Sequence, residues 1–327
     1  MATCLVAIGS NLGNREQTLD RAVDVLTRQE RLRLLRRSQW RETSPVGGPP
    51  GQGKFLNGAL LLETSLTAGR VIELLQAVEE QFGRDRRLRW GPRSLDLDLL
   101  LYDRLVLDTP RLSIPHPRMA WRRFVLEPAA EIAGSLLHPT LGWSVARLWE
   151  HLNTAVPYLA IAGPPAAGKT DLARQIARKI DAGLILDPGE MRPPSTASGN
   201  SLEAELRILD RRAEPLDAKR PAWADRTRWL VSDFWLPQSL AYAGVCLPAE
   251  QQRAFRSHWE QRNRTVVFPK LTVLLDVPVQ GPSSREQVRR AIVTLACQPG
   301  QGPVLHLAGP SSPDALAEVL AAIDSMR

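Results

Sequence analysis

Arg89-Trp90-Gly91-Pro92-Arg93-Ser94-Leu95-Asp96-Leu97-Asp98-Leu99 alternates leucine with carboxylate along its second half. Side chains of a strand point to alternate faces. Leu95, Leu97 and Leu99 therefore turn toward a core. Asp96 and Asp98 turn together to the other face, about 7 Å apart. Two like charges side by side are a poor structural choice, but they suit divalent cations, particularly Mg2+ carrying a nucleotide. Arg84, Arg86, Arg87, Arg89 and Arg93 lie on or just before this run, with Gly83, Gly91 and Pro92 among them. A mobile arginine loop at that place can close over phosphates. The competing reading is a solvated basic loop beside incidental acids.

Outward from this run the first half alternates strands and helices. Thr3–Ile8 is apolar and ends in the turn Gly9-Ser10-Asn11-Leu12-Gly13. Leu19, Ala22, Val23 and Leu26 recur at helical spacing over Arg15–Arg28. Phe55–Leu62 reads as a strand, Leu66–Phe82 as a helix on Val71, Leu74, Leu75 and Val78, and Ser94–Tyr102 as a strand. The pattern β-α-β-β-α-β predicts a ferredoxin-like α+β sheet with its helices on one face.

A different pattern begins near Asn153–Ala155. The apolar stretch Val156–Ala162 runs into Gly163-Pro-Pro-Ala-Ala-Gly168-Lys169-Thr170. A helix follows on Leu172, Ile176 and Ile180. Glycines there let backbone N–H groups close on phosphates, and a helix N-terminus adds its dipole. This is the P-loop pattern in its required strand-to-helix context. Lys169 should reach the β- and γ-phosphates and Thr170 should hold Mg2+. Leu184–Leu186, Trp229–Ser232, Leu271–Leu275 and Val304–Leu307 add strands, and a final helix capped by Ser312 carries Leu316, Val319, Leu320 and Ile323. Such strands predict a parallel sheet covered on both sides. The expected division is 1–153 and 155–327, in an α/β two-domain chain.

The 327 residues carry a net charge of +7, with 42 basic and 35 acidic side chains, and only five of the basic ones are lysine. Arginine suits bidentate phosphate binding, although a genome rich in arginine codons explains the bias equally well. Nucleic acid is not needed as a partner. Cys4, Cys246 and Cys297 have no metal-ligand spacing. Met1–Ser10 lacks a secretion signal, and no run of 18 apolar residues suggests a membrane span. The expectation is a cytoplasmic chain.

Five segments in order resemble one family. They are Ala7-Ile8-Gly9-Ser10-Asn11-Leu12-Gly13, Glu42-Thr43-Ser44-Pro45-Val46-Gly47-Gly48, Phe55-Leu56-Asn57, Trp90–Asp98 and Ile114-Pro115-His116-Pro117-Arg118-Met119. Over about residues 2–150 the chain resembles 6-hydroxymethyl-7,8-dihydropterin pyrophosphokinases of folate synthesis. The resemblance implies pyrophosphoryl transfer from ATP to the pterin hydroxymethyl group, with AMP leaving. It implies that Asp96 and Asp98 hold two Mg2+ and that Arg84 and Arg93 engage the transferred phosphates. Arg111, His116 and Arg122 would contact ATP. Phe55 and Phe124 would sandwich the pterin, Asn57 would bond its edge, and Thr43 and Val46 would offer backbone contacts. The arginine loop is about one residue shorter than the familiar form.

The second half resembles deoxynucleoside kinases more loosely, through the P-loop, Leu184-Ile185-Leu186-Asp187-Pro188, Val231-Ser232-Asp233-Phe234-Trp235 and Leu271–Asp276. Asp187 falls where that family has an acidic base, usually glutamate. The arginine-rich lid expected after Asp276 is replaced by a Pro- and Gly-containing segment, with only Arg285, Arg289 and Arg290 following. An active deoxynucleoside kinase and a nucleotide-binding regulatory or dimerising module both stay open. The resemblance implies one Mg2+ with the nucleotide and a homodimer through this half.

Overall fold

The leucine–aspartate run does form a strand, and its leucines do face a core. In the computed structural model, residues 1–48, 51–83, 93–188, 201–278, 283–309 and 313–327 are described. Two units emerge, Met1–Asn153 with Ala321–Arg327, and Thr154–Leu320. The final seven residues group with the first unit.

The first unit is laid out as β1 (Ala2–Ser10), α1 (Arg15–Thr27), β2 (Leu32–Arg37), β3 (Arg41–Thr43), β4 (Phe55–Thr64), α2 (Ala68–Gln81) and β5 (Asp96–Tyr102). A small hairpin of β6 (Leu107–Thr109) and β7 (Leu112–Ile114) leads to α3 (Arg123–Ala133) and α4 (Val145–Thr154). Among the described residues the main sheet is antiparallel, in the order β2-β4-β1-β5, with β3 also on β4. Leu19, Ala22, Val23 and Leu26 of α1 and Val71, Leu75 and Val78 of α2 meet Val6, Ile8, Leu60, Leu62, Leu97 and Leu99 in one core. Residues of the other parity therefore face the opposite side, where α3 packs on β4 and β1.

In the second unit β8 (Tyr158–Ala162), α5 (Lys169–Ile180), β9 (Gly183–Ile185), α6 (Leu202–Ala213), β10 (Leu230–Ser232), α7 (Gln238–Cys246), α8 (Ala249–Asn263), β11 (Leu271–Leu275), α9 (Ser283–Ala296) and β12 (Val304–Leu307) follow in order, and α10 (Pro313–Ser325) begins in this unit and ends among the residues grouped with the first. The sheet is β12-β11-β8-β10-β9, with all pairings parallel. Every residue of β8 and β11 is buried, as continuous apolar strands covered on two faces must be. Strand order reverses on either side of β8, and ligands of open α/β sheets bind at such a point beyond the strands' carboxyl ends. The Gly163–Thr170 loop leaves β8 there. Gly163 has φ +152°, and a Cβ on it would stand 2.7 Å from the Leu275 carbonyl oxygen, so the loop's approach to β11 requires glycine. The Ser312 cap lies outside the described residues. No helix among the described residues is long and apolar enough to cross a membrane.

Candidate active site

The site face of the first unit follows from strand register. Gly9 of β1 stands opposite Asn57 of β4 and opposite Asp96 of β5. Directly opposed residues of an antiparallel ladder share a face. Asn57, Gly9 and Asp96 therefore form one row, and Ala59, Ala7 and Asp98 the next. Asn57 and Asp96 are about 10 Å apart across two strand spacings. Glycine in the middle keeps the floor low. A Cβ at Gly9 would lie 2.7 Å from Asn57 Oδ1.

Each end of this row is held. Asn57 Nδ2 donates to Thr43 Oγ1 at 2.7 Å, because β3 pairs with the start of β4, Thr43 against Phe55. Arg93 Nη1 donates to Asp96 Oδ2 at 2.5 Å. Asn11 fixes the Arg93 backbone. Its Oδ1 accepts from Arg93 N at 2.6 Å and its own N–H donates to Arg93 O at 3.0 Å. The sequence reading gave Asn11 no role, and its place in the turn after β1 was the available signal. Phe55 and Phe124 are both half-buried, Phe55 opening β4 and Phe124 lying in the first turn of α3. Val46 is half-buried in the loop after β3.

Around Asp98 the charges are graded. His116 Nε2 lies 3.9 Å from Asp98 Oδ2, while its Nδ1 accepts the Arg118 N–H. Burial lowers the His116 pKa against the opposing pull of Asp98. Burial likewise brings Arg122 down to about 10, again opposed by Asp98. Arg122 stands over the Phe124 ring, 5.5 Å from its centroid. Arg111 sits exposed at the tip of the β6–β7 hairpin. Arg84 and the rest of the arginine loop through Pro92 lie outside the described residues. Two carboxylates on one open face, with arginines near, match the oxygen donors Mg2+ takes when phosphates and water complete its shell.

The second unit has its own site. Lys169 opens α5, and its Nζ donates to the Gly163 and Pro164 carbonyls at 3.0 and 2.8 Å. Burial first, then Arg212, brings its pKa down to about 8. Thr170 Oγ1 donates to Asp233 Oδ2 at 2.6 Å, and the Asp187 N–H donates to Asp233 Oδ1 at 2.6 Å. The sequence alone assigns Asp233 no role. An acid directly after an apolar strand beside the P-loop strand was its signal. Arg212 grips Asp187 through Nε and Nη2, at 2.9 and 2.6 Å, and reaches Ser239 Oγ at 3.1 Å. Burial works against the Arg212 charge, but its bonds to Asp187 outweigh it and raise the pKa. Both oxygens of the expected base are thus engaged by an arginine the sequence did not point to. Lys169, Thr170, Asp187, Arg212 and Asp233 line a cavity of about 940 Å³ whose other walls come from the P-loop, α6 and α7.

The family model for 7,8-dihydro-6-hydroxymethylpterin-pyrophosphokinase matches residues 5–134. A 2-amino-4-hydroxy-6-hydroxymethyldihydropteridine pyrophosphokinase from Bacillus subtilis (strain 168) is 46% identical over 127 residues, covering 39% of this chain and 75% of that protein. Its namesake from Pseudomonas aeruginosa is 40% identical over 162 residues, covering 50% of this chain and 96% of that protein. Among solved structures, a deoxyadenosine kinase from M.mycoides with products dcmp and a flexible dcdp bound aligns at a TM-score of 0.44 with 12% identity, over 52% of this chain and 100% of that chain.

Proposed function

The chain belongs to the 7,8-dihydro-6-hydroxymethylpterin-pyrophosphokinase family, and on that premise we propose how its two units act. The first unit transfers the pyrophosphoryl group of ATP to the hydroxymethyl oxygen of 6-hydroxymethyl-7,8-dihydropterin, and AMP leaves. The observation that carries this reading is the row Asn57–Gly9–Asp96. Its length of about 10 Å fits a bicyclic ring whose edge meets Asn57 and whose hydroxymethyl arm ends near the phosphates. Phe55 and Phe124 take the ring faces, and Thr43 and Val46 complete its edge. Asp96 and Asp98 hold two Mg2+, which would neutralise charge developing on the transferred phosphates. Arg84 and Arg93 engage those phosphates, while Arg111, His116 and Arg122 hold the nucleotide. We read the unit as ferredoxin-like from its strand order and its two helices on one face.

Phe124→Ala tests the clamp. It should weaken pterin binding by about 1–3 kcal/mol while ATP affinity changes by no more than a few-fold. Titration of both ligands decides it, and an equal loss for ATP would make Phe124 a packing residue. Gly9→Ala is expected to push Asn57 off Thr43. Loss of that amide edge should raise the pterin KM about tenfold, the kinetic weight of one hydrogen bond. An unchanged KM would remove Asn57 from the pterin site.

For the second unit we propose a cytoplasmic nucleoside triphosphate site with one Mg2+ near Thr170 and Asp233, and transfer of a phosphoryl group to an acceptor in the adjoining cavity. A deoxynucleoside is one such acceptor. The size of the cavity supports this, since the phosphates alone need only its P-loop end. One observation favours the regulatory, dimerising alternative. Of the three arginines that follow Asp276, Arg289 is bonded to Asp276 and Glu286, and Arg290 to Glu286, so two of the three are already engaged. A phosphorylation screen of nucleosides with the full chain, against Lys169→Ala, separates the two readings.

A further inference from the structure

The start of α3 carries charge of the wrong sign. A helix N-terminus is positive, and cations there are unfavourable. Yet Arg122 caps α3 and Arg123 opens it, with no acidic residue in the first turn and no side-chain bond at the cap. Pro128 also takes away the amide that would bond the Phe124 carbonyl. The turn that delivers Arg122 and Phe124 is therefore weak on its own. Arg122 has a reason to stand there, since Asp98 and the Phe124 ring are its neighbours. Arg123 turns instead to α4. Its guanidinium carbon lies 5.1 Å from the Trp149 ring centroid, within cation–π range. Its Nη1 donates to Asn153 Oδ1 at 2.9 Å. Trp149 and Asn153 are four residues apart and share one side of α4. Asn153 Nδ2 donates in turn to the Trp149 carbonyl at 2.8 Å, which fixes the acceptor. α4 is itself held through buried Val145, Leu148 and Leu152. An uncapped helix end thus takes its anchor from the neighbouring helix. Successive helical residues project about 100° apart, so tying Arg123 to α4 also sets the direction of Phe124.

Resting on the reading of Phe124 as one face of the pterin clamp, we propose that Arg123, seated on Trp149 and Asn153, is the positioning residue of that clamp. It touches neither substrate nor metal. It stops the first turn of α3 from fraying and so keeps the Phe124 ring in place for the pterin. Its effect therefore belongs to pterin binding. The transfer itself rests on Asp96 and Asp98, which β5 holds independently through Leu97 and Leu99 in the core. The charge of Arg123 matters as well as its bulk, because an aromatic face attracts a cation beyond what apolar packing supplies.

The test measures AMP release by the full chain at saturating ATP and Mg2+ across a titration of 6-hydroxymethyl-7,8-dihydropterin. Arg123→Met keeps the length of the side chain and removes its charge. It should raise the pterin KM about three- to tenfold and leave kcat within about twofold. Trp149→Leu should do the same, while Trp149→Phe, which keeps an aromatic face, should stay within about twofold of the parent chain. In a Phe124→Ala background Arg123→Met should add less than about twofold, because the ring it positions is already gone. Circular dichroism checks that each variant folds. Should Trp149→Leu fail to fold, Asn153→Ala replaces it, since it deletes only an exposed hydrogen bond, and its pterin KM should rise. An unchanged pterin KM in Arg123→Met overturns the proposal. So does a fall in kcat with KM unchanged, which would place Arg123 in the transfer step. A full further loss in the Phe124→Ala background, or equal behaviour of Trp149→Phe and Trp149→Leu, overturns it as well. An unchanged pterin KM in Phe124→Ala itself would instead remove the clamp reading beneath it.

Discussion

Asp98→Ala, and equally Asp96→Ala, is expected to leave the first unit folded and to cut Mg2+-dependent AMP release about 10²–10⁴-fold. That span corresponds to several kcal/mol of lost charge stabilisation at about 1.4 kcal/mol per decade. Folding should survive because β5 is held by Leu97 and Leu99 in the core and by its register with β1. The carboxylates face the other way and are half-buried. The Asp98 side chain also supports its neighbours electrostatically. It opposes the lowering of both Arg122 and His116 by burial. Its removal should therefore drop Arg122 further and weaken ATP binding at high pH. The check is AMP release with the pterin substrate across a Mg2+ titration, with circular dichroism confirming the fold. Near-normal turnover in either alanine variant, or in Asp98→Asn, would detach the pair from metal binding.

The reason this site was legible is that β5 alternates over Asp96–Leu99, with leucine buried and carboxylate half-buried, and alternation is the pattern that assigns a face to each residue. Leu271–Leu275 was legible by a different pattern, a continuous apolar run that is buried at every residue. Alternation failed for β2. Only Leu32 of that strand is buried, and the register shifts between Leu34 and Arg36, so its residues do not alternate cleanly. It also gave no warning of α3, where Pro128 sits inside the helix and removes the N–H that would bond the Phe124 carbonyl. Register between strands was illegible altogether. Nothing in the letters says that Gly9 stands between Asn57 and Asp96, yet that pairing builds the site. Arg212 was hidden for a related reason. It is one of many arginines, and only the packing of α6 brings it to Asp187.

Lys169→Ala should abolish nucleotide binding in the second unit while the first unit keeps its own. A full-length titration with a non-hydrolysable ATP analogue should then lose one class of site. Lys169 Nζ donates to two loop carbonyls, so bound phosphates must draw it away from Gly163 and Pro164. Its charge then compensates phosphate charge that backbone dipoles alone would have to meet. Protonation adds a second signature. Lys169 has its pKa brought down to about 8, because burial and Arg212 both disfavour its charge. Phosphate favours the charged form, so binding above that pH must be accompanied by proton uptake. Affinity should hold below pH 8 and weaken by up to about tenfold per pH unit above it. A buffer-dependent binding enthalpy in alkaline solution would report the same proton. The first unit has no lysine in its phosphate site, so its affinity should follow a different profile. A second-unit affinity that stays flat from pH 7 to pH 9.5, or that survives Lys169→Ala, would mean that Lys169 remains on its carbonyls and that the phosphates are held by the loop and Thr170 alone.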